Sequence, residues 1–185
     1  MASSRNSEPP EPLVAAAAAC LQRYLQPQQG LLVAFSGGRD SVALLHVLRS
    51  LQRHFGYELS ACHVNHGISA EADNWQSFCV RFSTALGVPL RCERVDVPRA
   101  ASEGLEAAAR RLRYEVLARE SAEWVAFAHH RGDQAETLLF NLLRGAGLRG
   151  ATAMPEMRAI CGGGALLRPF LSVSRTLIDP SARNI

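Results

Sequence analysis

The chain has 185 residues, 48% of them hydrophobic and 20% charged, enough for one globular domain with a sizeable core and too apolar for a disordered chain. Its net charge of +3 is too small to mark a polyanion-binding protein by itself, but all 20 basic residues are arginine, so any phosphate contact must come from guanidinium groups or backbone amides. Five cysteines (Cys20, Cys62, Cys79, Cys92, Cys161) without a CxxC pair argue against a zinc ribbon, an iron–sulfur site or a redox dithiol, and suit reduced thiols in a cytoplasmic protein.

Residues 1–12 are polar and proline-rich and read as a disordered tail. An alanine-rich helix is expected over 13–25; its run 15–20 lacks the basic start of an export signal, and no apolar run reaches membrane-spanning length. Residues 31–35 (LLVAF) carry five apolar side chains without a charge, the habit of a central parallel strand. SGGRDS follows at 36–41, then helical spacing over 39–55. A strand is expected over 57–64, running into the polar cluster HVNHG at 63–67, then a helix over 71–86, a strand over 89–95 and a linker over 98–104. A helix over 105–121, a strand over 124–128 and a helix over 133–144 follow. Beyond residue 145 the glycines at 145, 147 and 150 surround a turn, 154–158 and 166–167 read as short strands about 162–164, and 168–175 leads outward. The final stretch, 177–185, is too short for an element of its own. Four strands alternating with helices imply an α/β fold, a doubly wound parallel sheet with its switch point at the first strand.

The turn between the first strand and its helix is an anion site by construction. Ser36, Gly37 and Gly38 lack bulk, and the amides and dipole of a helix N-terminus favour negative charge. The spacing is neither GxxxxGK[ST] nor GxGxxG; it resembles the pyrophosphatase loop of enzymes that split ATP into AMP and pyrophosphate. Asp40, a carboxylate within a phosphate cradle, asks for a bridging Mg²⁺; as a plain helix-starting acid it asks for nothing. HHRGDQAET (129–137) brings His129 and His130 to the same edge and sets Asp133 and Glu136 on one helix face, where they suit a cation or an amine nucleophile, or simply a helix dipole. In EAAARRLRY (106–114), Arg110 and Arg113 lie on one side of a helix and Arg111 turns away. They form either an anion-binding pair or a solvated face matched by Glu103, Glu106 and Glu115.

SGGRDS, HVNHG with AEADNW behind it, EAAARRLRY, HHRGDQAET, LLRGAGLRG, MPEMR and RPFLSVSR stand in the order found in tRNA(Ile)-lysidine synthetases, and the likeness covers 31–175. The resemblance implies an adenine nucleotide alpha hydrolase-like (Rossmann-like) PP-loop catalytic domain over 13–175, with 176–185 as the remnant of a C-terminal extension. It implies that ATP adenylates the C2 carbonyl oxygen of the wobble cytidine of tRNA(Ile) with a CAU anticodon, and that L-lysine then displaces AMP, so that the tRNA reads AUA. Carried over by position, Ser36, Gly37, Gly38, Arg39, Asp40, Ser41, His63, Asn65 and His129 hold ATP, Asp40 and Asp133 hold Mg²⁺, and Asp40, Arg110, Asp133 and Glu136 are catalytic. A cytoplasmic setting without membrane contact, and a homodimer, complete the expectation.

Two positions depart from the family pattern. Gly132 stands where paired aspartates are usual, and TLIDPSARN (176–184) runs together pieces that the family separates by a further helix. A tRNA thiolase, an amidating synthetase of the GMP or NAD type, and a non-catalytic nucleotide- or tRNA-binding module are the competing readings.

Overall fold

The computed structural model describes residues 9–98, 104–145, 152–160 and 164–183. The expected tail up to residue 8, most of the 98–104 linker, the turn glycines at 147, 150, 162 and 163, and the last two residues lie outside that range.

The apolar run becomes β1 (Gly30–Ala34), whose side chains alternate between two cores. Leu31 and Val33 enter one, Leu32 the other, and covering both faces is what a central parallel strand requires. β2 (Glu58–Asn65) and β4 (Trp124–Ala126) pair with its two sides, both parallel. β3 (Leu90–Arg94) lies parallel outside β2, and β6 (Ala165–Leu167) parallel outside β4. The sheet order is β3-β2-β1-β4-β6-β5. Only β5 (Met157–Ala159) runs antiparallel, closing the edge as a hairpin partner of β6. The winding direction reverses between β1 and β4, so a crevice opens at their adjoining carboxyl ends.

Three helices build the larger core against Leu31 and Val33. α1 (Glu11–Tyr24) inserts Leu13, Ala17, Cys20 and Leu21, α2 (Arg39–Phe55) buries nine residues, and α3 (Ala72–Leu86) adds Cys79 and Leu86. On the opposite face α4 (Leu105–Ala118) packs Val116 and Leu117 on Leu32, Cys62, Val125 and Phe127. α5 (Arg131–Leu143) buries no residue at all. No helix among the described residues is long and apolar enough to cross a membrane.

The two chain ends differ from expectation. α1 takes in Glu11 and Pro12, assigned to the tail, because proline lacks only an N–H that the first turn leaves unused. Near the other end, residues expected to form no element make an unbroken helix, α6 (Arg175–Arg183). Nine residues are too few for a stable helix in water, so periodicity does not announce it. It forms by docking Ile178, fully buried, into the core that α1 and α2 share.

Candidate active site

Beyond β1 the chain bends through Ser36 and Gly37 before Gly38 starts α2 in an extended conformation. The Ser36 hydroxyl accepts the Gly38 N–H at 3.2 Å, the Ser41 hydroxyl donates to the Gly38 carbonyl at 2.8 Å, and the two hydroxyls stand 3.1 Å apart. Gly37 is required twice over: its φ is +81°, and a Cβ there would lie 2.8 Å from the Cys79 Sγ. The result is a small bend braced by its own hydroxyls at the positive end of a 17-residue helix, a seat for an anion. Arg39 leans over it, exposed, and donates to Asp179 of α6 at 3.4 Å.

Asp40 follows in the first turn of α2. Its Oδ1 is buried and has no hydrogen-bond partner among the described residues. Burial pushes its carboxyl pKa above the ordinary value, while His130 and Arg175 pull it back. His130, 5% exposed, sets its Nε2 3.9 Å from Asp40 Oδ2. The same ring caps α5: Nδ1 accepts the Gly132 N–H at 2.9 Å, and the Asp133 carboxylate answers by accepting the His130 N–H at 2.8 Å. Gly132 therefore has a local reason. A Cβ at 132 would meet the His130 ring at 2.7 Å, so an aspartate there would push the imidazole off its cap. Through this one histidine, the end of β1 and the end of β4 face a single crevice.

A cleft of about 270 Å³ opens on the β2 side of the loop, lined by Ser36, His63, Asn65, Trp75, Arg113 and Leu117 among others. His63 donates from Nδ1 to the Phe35 carbonyl at 2.9 Å, which leaves Nε2 an acceptor with no partner among the described residues. Burial lowers its pKa, which favours the neutral ring, against a smaller opposing pull from the Phe35 carbonyl. Asn65 also lines the cleft, but its side chain is spent internally: it donates to Asp73 and Gln76, both at 2.9 Å, and accepts from the Gly67 N–H. It fastens the end of β2 to α3.

His129 takes the opposite side of the chain from His130. It accepts the Arg168 Nε–H at 3.1 Å and stacks on Phe127 at 5.5 Å. Burial, helped by Arg168, brings its pKa down to about 4. The fold thus delivers His130, not His129, to Asp40. The two rings leave opposite sides of the chain, as neighbouring side chains of an extended segment do, but both lie beyond the end of β4, so which one meets Asp40 is set by the path of the chain into α5. Around the neutral His129 gather Arg168, Arg110 and Arg113. Arg110 is exposed, its guanidinium 5.3 Å above the Tyr114 ring. The Arg113 Nε is buried without a partner among the described residues, and burial followed by Arg110 lowers its pKa. Arg168 is 3% exposed and donates to the Pro155 carbonyl at 2.6 Å. Glu136 is exposed one turn beyond Asp133 on α5. His130 was expected at this edge but without an assigned ligand, and Arg168 and Arg175 were not among the expected site residues; the two arginines open and close the RPFLSVSR segment.

Among the described residues no cluster of three or more His, Cys, Asp or Glu side chains is arranged to hold a metal ion. A cation on Asp40 must draw most of its ligands from phosphate oxygens and water, the ordinary habit of Mg²⁺, and the unused Asp40 oxygen fits that role.

The PP-loop domain family matches residues 12–184. The tRNA(Ile)-lysidine synthase of Aromatoleum aromaticum is 50% identical over 171 residues, covering 92% of this chain and 38% of that protein. The synthase of Pseudomonas aeruginosa is 50% identical over 157 residues, 83% of this chain and 35% of that protein. The chain thus spans little more than a third of these curated relatives. Among solved structures, the U34-tRNA thiolase NcsA of Methanococcus maripaludis superposes with a TM-score of 0.77 at 15% identity over 94% of this chain and 63% of its own. The NH3-dependent NAD synthetase of Campylobacter jejuni gives 0.55 at 16% identity over 94% of this chain and 70% of its own. At these identities they support the fold alone.

Proposed function

Because the chain belongs to the PP-loop domain family, we propose that it is the ATP-using part of a tRNA(Ile)-lysidine synthase, acting in the cytoplasm on the wobble cytidine of tRNA(Ile). The observation that carries this reading is the His130 bridge. It stands 3.9 Å from Asp40 at the phosphate loop and caps the helix bearing Asp133 and Glu136. An oligophosphate end and an acidic end therefore share one crevice, as a two-stage adenylation and transfer needs.

In the first stage the C2 carbonyl oxygen of cytidine attacks the α-phosphorus of ATP and pyrophosphate leaves. The Ser36–Gly37–Gly38 bend and Ser41 hold the phosphates through amides and hydroxyls, with Arg39 above them, and His63 offers Nε2 to a donor on the nucleoside. Asp40, through the Oδ1 that has no partner among the described residues, would hold Mg²⁺, which would supply charge neutralisation at the phosphates. In the second stage the lysine amine attacks C2 and AMP departs with the oxygen. Glu136 and Asp133 attract the ammonium and take its proton, Asp133 also being a candidate metal ligand. Arg110, with Arg113 behind it, meets an anionic group, the lysine carboxylate being the natural partner.

The test mixes the protein with ATP, L-lysine and an isoleucine tRNA transcript bearing a CAU anticodon. Pyrophosphate release followed by lysine incorporation supports the proposal. ATP binding without release favours a nucleotide-binding module that needs the remaining length of its relatives. Release that requires a sulfur donor in place of lysine identifies a thiolase instead.

A further inference from the structure

Arg175 borders the Gly37–Asp40 turn and is a charged side chain with no part assigned to it so far. It opens α6, and with Gly37, Gly38, Arg39, Asp40 and Trp75 it lines a second cleft, on the α2 side of the loop. It is exposed and makes no ion pair among the described residues, although its charge reaches Asp40. A guanidinium beside a partly buried carboxylate normally closes a salt bridge. Here it stands open over the cradle, while the neighbouring Asp179 of α6 is engaged with Arg39. The helix carrying it is fixed: Ile178 is fully buried among α1 and α2 side chains, so the position of Arg175 is set by packing.

We propose that Arg175 recognises the outer phosphates of the bound nucleotide, making α6 one wall of the phosphate cradle. The inference rests on the ATP-binding reading above and adds to it a residue and a preference. Two arginines, Arg39 from the start of α2 and Arg175 from the start of α6, then flank the bend. A planar guanidinium offers paired donors to phosphate oxygens, and a group at the outer phosphates discriminates ATP and pyrophosphate from AMP. It also draws the leaving pyrophosphate away from the α-phosphorus.

The test is calorimetric titration of the whole chain, wild type and Arg175→Ala, with ATP, a non-hydrolysable α,β-methylene analogue, pyrophosphate and AMP, each with Mg²⁺. The expected result is a 10- to 100-fold loss of affinity for the first three, as for removal of a charge-assisted pair, with AMP changed less than about twofold and thermal stability unchanged. Arg175→Lys recovers part of the loss. Equal losses for ATP and AMP make the role structural and overturn the inference, as does no loss for either. Wild-type protein that binds no ATP fails earlier and overturns the functional reading itself.

Discussion

α2 and α5 both begin at the same crevice, yet they are held in opposite ways. α2 buries nine residues and delivers Asp40 from the middle of the core. α5 buries none and leaves Leu139 58%, Phe140 57% and Leu143 79% exposed. Its ties among the described residues are polar: they include the His130–Asp133 cap, the Arg131 N–H to the Val173 carbonyl at 2.9 Å, and a reciprocal pair between Gln134 and Met154 at 2.7 and 2.8 Å. A segment with few buried apolar contacts opens at lower free energy than the core beside it. The end of the crevice built on α2 is therefore held rigidly, whereas the end built on α5 is free to shift; on the proposed function, that freedom would let the acids adjust to the nucleophile and the base.

The sharpest way to break this contrast is at Asp40. Asp40→Asn removes the charge that a cation needs and lowers adenylation by about a thousandfold, read as pyrophosphate release; unchanged release would remove Asp40 from the chemistry. Next come paired truncations. Leu45→Ala in α2, at a fully buried position, costs about 3 kcal/mol. Leu139→Ala in α5 changes stability by no more than about 0.5 kcal/mol. Denaturant melts of both variants decide the matter, and similar losses would mean that α5 is packed after all. Glu136→Gln then separates the two stages: lysine transfer falls about a hundredfold while adenylate formation persists. Equal damage to both stages would place Glu136 with the phosphates.

How much of this was legible beforehand follows the same divide. The strand, bend and helix at 31–55 are local patterns, and α2 has the expected bounds, because one contiguous stretch carries its own periodicity, glycines and cap. The doubly wound class and its switch point at β1 are legible from the alternation of strands and helices, whereas the outer positions of β6 and the antiparallel β5 are not. What depends on chain segments meeting was not. Which of two adjacent histidines turns to Asp40 depends on how the chain leaves β4. The need for glycine at 132 lies in a ring folding back over it, and Arg175 reaches the loop only because α6 docks through Ile178. Asn65 illustrates the reverse case: a polar residue at the ligand edge whose side-chain hydrogen bonds are already committed to α3 and to the Gly67 N–H.

A last expected effect, modest and dependent on pH, sits where β4 hands the chain to α5. His129 is neutral in the folded protein down to about pH 4, against an ordinary value of 6.5. Between those values the unfolded chain carries a proton there and the folded one does not, so stability rises with pH across the window and is lost on acidification. Allowing for partial exposure, the contribution is on the order of 1–2 kcal/mol. His129→Gln keeps an acceptor for Arg168 but cannot titrate, and the melting temperature of this variant should depend less on pH between 4 and 6.5 than that of the wild type. If the wild-type slope in that window survives the substitution, His129 is not the neutral base that desolvation, helped by the nearby guanidinium groups, favours, and the junction between the rigid and the loosely held halves must be charged differently.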